Sequence, residues 1–184
     1  MAKDEQRHDL DGLLEELRRE FSTFRLIEKE RSPVMWAIYY GLGMFLWCPR
    51  FMTSYTTVLI TRVYMPRSLM GTRASYGTLR HERVHMRDCV RSGVLPFALS
   101  YLFLLPSVLT LRSVWEMRAY AETMRVERER WGRVSDETVA HVTSQLVGSS
   151  YLWMFPFPKL ARRWVERVRD RVMAEQISPQ SALD

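Results

Sequence analysis

Five consecutive residues, His81-Glu82-Arg83-Val84-His85, constrain this chain more than any other feature. They set two imidazoles four positions apart in a stretch that reads as a helix. Residues four apart share one helix face, so His81 and His85 can offer two nitrogens to a single metal ion. Glu82 lies beside them, where a carboxylate can reach a metal-bound water and act as general base. The chemistry implied is zinc-assisted hydrolysis of an amide. A short motif recurs by chance, so its surroundings must support it. The spacing predicts a helix over residues 78–92, with Thr78 as N-cap, Arg80, Arg83, Arg87 and Arg91 along one side and Gly93 as the stop. Residues 71–77, bounded by Gly71 and Gly77, read as a loop into that helix. The competing reading is a pair of solvated histidines on a surface helix.

About thirty residues downstream stands Trp115-Glu116-Met117-Arg118-Ala119-Tyr120. With the His-Glu-x-x-His motif, this segment makes the chain resemble the gluzincin clan of zinc metallopeptidases, most closely its minimal single-domain members, over roughly Phe51 to Met173. The resemblance implies that His81, His85 and Glu116 ligate zinc and that Glu82 is the base. Many gluzincins carry an aspartate four residues after the ligand glutamate, whereas this chain has Tyr120. Support for His81 must then come from elsewhere, and Asp88, three residues after His85, is a candidate. Glu116 has another reading. Ser113-Val114-Trp115-Glu116 fits a capping box, in which Glu116 would accept a bond from the Ser113 backbone and start a helix. Glu122 is the fallback ligand and Cys89 a more distant one. For a second electrophile at the developing oxyanion the candidates are Tyr120, His141 and Tyr151.

With 184 residues, nearly half of them hydrophobic, the chain suits one domain with a real core. The expectation is a single zincin-like catalytic domain over residues 1–184, with an accessory N-terminal helix within 1–31 and a flexible tail at 176–184. Its fold class is α+β, mostly helical, with one small sheet packed on the motif helix. The net charge of +6 invites a nucleic-acid reading, but the arginines alternate with glutamates between Arg125 and Arg133, as on solvated helix faces. No nucleic-acid-binding signature accompanies them, so no nucleic-acid partner is expected. Two cysteines are too few for a disulfide framework. The first thirty residues are charged throughout, which points to the cytoplasm.

Leu10, Leu13, Leu14, Leu17 and Phe21 recur at helical spacing and predict an amphipathic first helix. Ser32-Pro33 reads as a cap and first-turn proline, opening a second helix that ends near Cys48-Pro49. The run Thr56 to Tyr64, dense in Thr, Val and Tyr, reads as one strand. Ser135 starts another helix ending near Gly148, and Tyr151 to Pro158 connects to the last one. Val34 to Cys48 and Val94 to Leu111 lack charge, yet spanning a bilayer takes about twenty apolar residues. Both are read as buried core helices, with peripheral membrane contact as the alternative. The function expected is zinc-dependent cleavage of peptide bonds in a polypeptide. The rivals are a membrane-associated binding or structural protein with an accidental motif, and a zinc hydrolase of non-peptide amides.

Overall fold

The leucine spacing near the start of the chain forms helix α1 (Ala2–Glu20), followed by strand β1 (Arg25–Glu28), a 3-10 turn (Lys29–Arg31) and helix α2 (Pro33–Leu46). This computed structural model describes residues 2–46, 50–102, 111–148 and 154–175. Next come a short helix α3 (Phe51–Ser54), strands β2 (Thr57–Leu59) and β3 (Arg62–Met65), the motif helix α4 (Arg73–Ser92) and α5 (Val94–Leu102). Three longer helices follow: α6 (Leu111–Trp131), α7 (Asp136–Val147) and α8 (Pro158–Ala174). The architecture is α+β and mostly helical, with one small mixed sheet. The chain divides into two compact units, Met1–Leu99 and Ser100–Asp184.

In the first unit the sheet order is β1-β3-β2, with β3 parallel to β1 and antiparallel to β2. Alternation along β3 sends Val63 and Met65 to one face and Tyr64 to the other. The first face packs with Leu13, Leu17 and Phe21 from α1 and its flank, and with Leu79 and Met86 of the motif helix. Burying each such side chain contributes roughly 1.5–3 kcal/mol. The opposite face joins Tyr64 to Met35 of α2 and Met52 of α3. The motif helix is thus held by the sheet and by α1, which belongs to the same hydrophobic cluster. Ion pairs reinforce that contact: Arg83 reaches Glu16 at 2.8 Å and Glu20 at 2.6 Å, and Arg87 also binds Glu20. Burial alone would raise the Glu20 carboxyl, but hydrogen bonds from Arg87 and Arg83 outweigh it and hold the group below its ordinary range.

Lys29 is fully buried between the sheet and α3. Its ammonium donates to Phe51 O, Tyr55 O and Thr57 Oγ1 at 2.6–2.8 Å and lies 3.7 Å from the centre of the Phe51 ring. Three donors meet three acceptors, which is what makes a buried ammonium tolerable.

The second unit is a helical cluster. Met117, Tyr120 and Met124 of α6 pack with Val139, Val142 and Leu146 of α7 and Ala161, Val165 and Val172 of α8. Ser135 caps α7 by accepting from the Thr138 backbone N–H at 3.2 Å, where the sequence places a helix start, and Pro158, at the end of the predicted connection, begins α8. Arg128 donates to the carbonyls of Val172 and Glu175 at 2.6 Å, satisfying groups that a helix C-terminus leaves without intrahelical partners. Arg125 clasps both oxygens of Glu175 at 2.7 Å.

Several local expectations need correction. The single strand over Thr56 to Tyr64 is a hairpin, turned at Ile60-Thr61. Ile60 has a φ of 63°, unusual for a β-branched residue, while Thr61 shares a 2.7 Å hydroxyl bond with Thr23. The motif helix starts at Arg73 with Thr72 at its N-cap, so residues 73–77 are helix and not loop. Thr78 is interior; its hydroxyl donates back to Ala74 O at 3.0 Å. Gly93, at φ 86°, does end the helix. Where their side chains are described, at 34–41 and 94–100, the two uncharged segments are largely exposed and not core. Among the described side chains of α2 only Met35 is buried, and Val34, Trp36 and Tyr40 are exposed. In α5, Val94, Leu95 and Leu99 are exposed. No helix among the described residues is long and apolar enough to cross a membrane. Cys48, Tyr151 and the tail at 176–184 lie outside the described residues.

Candidate metal centre

Helix α4 carries the motif on the side that turns inward. Glu82 and His85 are buried and His81 half-buried, in a helix whose Leu79 and Met86 are anchored in the core. The two imidazole rings stand with centroids 5.1 Å apart and planes at 73°. That is the consequence of four-residue spacing on one helix face. Asp88 and Cys89 continue the buried side of the same helix, and burial pushes the Cys89 thiol up.

Glu116 lies within α6 and is 2% exposed. Ser113 is already inside that helix, so it is no N-cap, and the capping-box reading of Ser113 to Glu116 does not apply. Instead, His81, His85 and Glu116 each present a ligand atom, and these atoms all lie within 4.8 Å of one another. The donor set is two imidazole nitrogens and one carboxylate oxygen. Three protein ligands of this kind with one open position are the pattern of catalytic zinc. Ligands at 2.0–2.2 Å around a tetrahedral ion stand roughly 3.4 Å apart, comparable with the 4.8 Å within which these three donor atoms lie. The residues fit a zinc ion. The triad is consistent with a gluzincin-type active site.

The other candidate ligands are placed differently. Glu122 accepts from Arg125 at 3.2 Å, and Cys89 is a buried free thiol. Of the candidate electrophiles, Tyr120 is buried in the core of the second unit with Met117 and Met124. His141 is exposed on α7, its carbonyl accepting from the Ser144 hydroxyl. Tyr151 lies outside the described residues. The buried ammonium of Lys29 is a feature that sequence reading missed, for a lone lysine in a charged stretch reads as solvated.

Compared with known protein families, curated proteins and solved structures, the chain matches none. The zinc-hydrolase assignment therefore rests on the donor set and its convergence. His81, His85 and Glu116 form a converging metal-binding triad that supports a zinc-dependent peptidase active site.

Proposed function

We propose that this chain is an endopeptidase that cleaves peptide bonds within polypeptides, acting as one catalytic domain over residues 1–184. The observation that carries this reading is the convergence of His81, His85 and Glu116 next to a buried glutamate, Glu82. A zinc ion held by the three ligands would lower the pKa of water and polarise the scissile carbonyl. Glu82 takes a proton from the attacking water and delivers it to the leaving nitrogen, so the strongly basic amine departs neutral. Tyr120, His141 and Tyr151 are the groups proposed to supply a hydrogen bond to the oxyanion.

The test is a quenched-fluorescent peptide library with protein purified without chelator. About one zinc per chain and internal cleavage, both lost on chelation and restored by zinc, are expected. Zinc without cleavage of any peptide would redirect the assignment to a non-peptide amide. Tyr120→Phe, His141→Ala and Tyr151→Phe, compared at full zinc occupancy, identify the oxyanion group by the loss of kcat, and three unaffected variants would remove all of them.

A second element of the proposal is peripheral contact with a membrane from the cytoplasmic side. Its support is α2: the rings of Trp36 and Tyr40 stack at 5.7 Å, Tyr39 meets both edge-on, and the helix carries no charge. Fourteen residues make a helix about 21 Å long, too short for a hydrocarbon core of about 30 Å. Amphipathic aromatics suit the headgroup level, and the free thiol of Cys89 suits a reducing compartment. Cell fractionation should recover part of the protein with membranes, released by alkaline carbonate. Full recovery outside the cytoplasm, or none with membranes, would overturn this part.

A further inference from the structure

The outer edge of β1 carries features that the metal centre does not use. Beside it lies a hollow of about 480 Å³ lined by Leu14 and Arg18 of α1 and by Phe24, Arg25, Leu26 and Ile27. Leu26 packs on the α1 and α4 side of the sheet, whereas Ile27 packs on the α2 and α3 side. A hollow lined by residues from both faces runs along the strand's edge and not over one face. β1 is an outer strand, bonded to β3 alone in the sheet. Strand backbone groups alternate between the two edges, and apart from the ladder with β3 no backbone bond joins Arg25, Leu26 or Ile27 to another described residue. Donors and acceptors therefore face the hollow.

Charge identifies the occupant. Arg25 stands in register beside Arg62 of β3 on the same sheet face, and like charges so placed repel. Arg18 of α1, which lines the hollow together with Arg25, is a third guanidinium. All three are exposed, and none forms an ion pair among the described residues, although their neighbours Arg19 and Arg31 pair with Glu15 and Glu28. Carboxylates placed along this strand edge would complement all three guanidinium groups.

We propose that the outer edge of β1 is a second polypeptide-binding site, which takes an extended acidic segment as an added strand. Its backbone pairs with β1, one apolar side chain fills the hollow against Leu14, Phe24 and Leu26, and flanking carboxylates meet Arg18, Arg25 and Arg62. Strand addition takes affinity from main-chain bonds and specificity from pockets for alternate side chains. Four residues of β1 span about 13 Å, so the segment recognised is about four residues long. This site is separate from the metal ligands, and its test is independent of zinc.

The experiment uses full-length Glu82→Gln protein, with and without zinc, and a fluorescein-labelled Asp-Glu-Leu-Val-Glu-Asp peptide followed by fluorescence anisotropy. Saturable binding, equal in both metal states and weakening as salt rises, is expected. Arg18→Glu with Arg25→Glu should weaken it at least tenfold while circular dichroism and the unfolding midpoint stay unchanged. If that variant misfolds, Arg18→Gln with Arg25→Gln is used in its place. A peptide with lysine for every acid should not bind, and N-methylation of alternate amides should weaken binding at least tenfold. The proposal is overturned if either arginine pair is dispensable, if the N-methylated peptide binds as well, or if a twelve-nucleotide single strand binds more tightly and displaces the peptide.

Discussion

Glu82→Gln should leave zinc at one equivalent per chain and lower kcat/KM for a cleaved peptide by a factor of roughly 10²–10⁴, the range that a positioned acid–base group contributes. Glutamine has the volume and the hydrogen-bonding reach of glutamate, but its amide takes no proton from water at neutral pH. His81, His85 and Glu116 are untouched by the change, so metal content isolates the proton-transfer role from metal binding. The environment makes the substitution tolerable. Glu82 is buried in the middle of α4, a twenty-residue helix anchored on both sides by Leu79 and Met86. The measurement pairs metal analysis with steady-state kinetics. Near wild-type turnover at full zinc would show that another group takes the proton.

Which parts of this site were legible in the sequence follows from the range of the forces involved. The two histidines and Glu82 are fixed by helical periodicity, a local rule, and the structure keeps them together on α4. The start of that helix was misplaced because Gly77 and Thr78 resemble a breaker and a cap. Inside the helix the Thr78 hydroxyl bonds to the carbonyl of Ala74 and does no capping. The hairpin was hidden for a related reason. Its turn is Ile60-Thr61, with neither the Gly nor the Asn that a positive φ favours, so the strand pattern ran through without punctuation. Glu116 could be proposed only through a resemblance, because a ligand thirty residues away is a tertiary contact. The capping box that competed with it dissolves once Ser113 is seen within the helix. Apolar composition marked α2 and α5 but does not say what covers them, and the exposed faces of Val34, Tyr40 and Leu95 could be known only from structure. The partners of Arg83 and Arg87 are likewise distant acids on α1, where the sequence showed only a basic side of a helix.

Glu116→Gln should weaken zinc binding by more than roughly 100-fold, given that loss of an outer-sphere partner alone costs 10–100-fold. An amide oxygen is a poorer donor than a carboxylate, and the substitution removes the one negative charge among three ligands. Activity should fall with metal content, and saturating zinc should restore part of it. The fold should survive: Glu116 lies in a helix of twenty-one residues whose core contacts come from Met117, Tyr120 and Met124, so far-ultraviolet circular dichroism should not change. Glu122→Gln is the control on the same helix. Its carboxylate accepts from Arg125, which also clasps Glu175 at 2.7 Å, and the second pair remains when the first is lost. Zinc affinity in that variant should stay within a few-fold of wild type, since partly exposed ion pairs contribute about 0–1 kcal/mol. The two substitutions are chemically identical and six residues apart, so a difference between them reports position and not the loss of one charge. If Glu122→Gln loses zinc and Glu116→Gln keeps it, the third ligand is Glu122, reached by release from Arg125. If neither loses zinc, two imidazoles hold the ion without a carboxylate, and the gluzincin-type assignment fails.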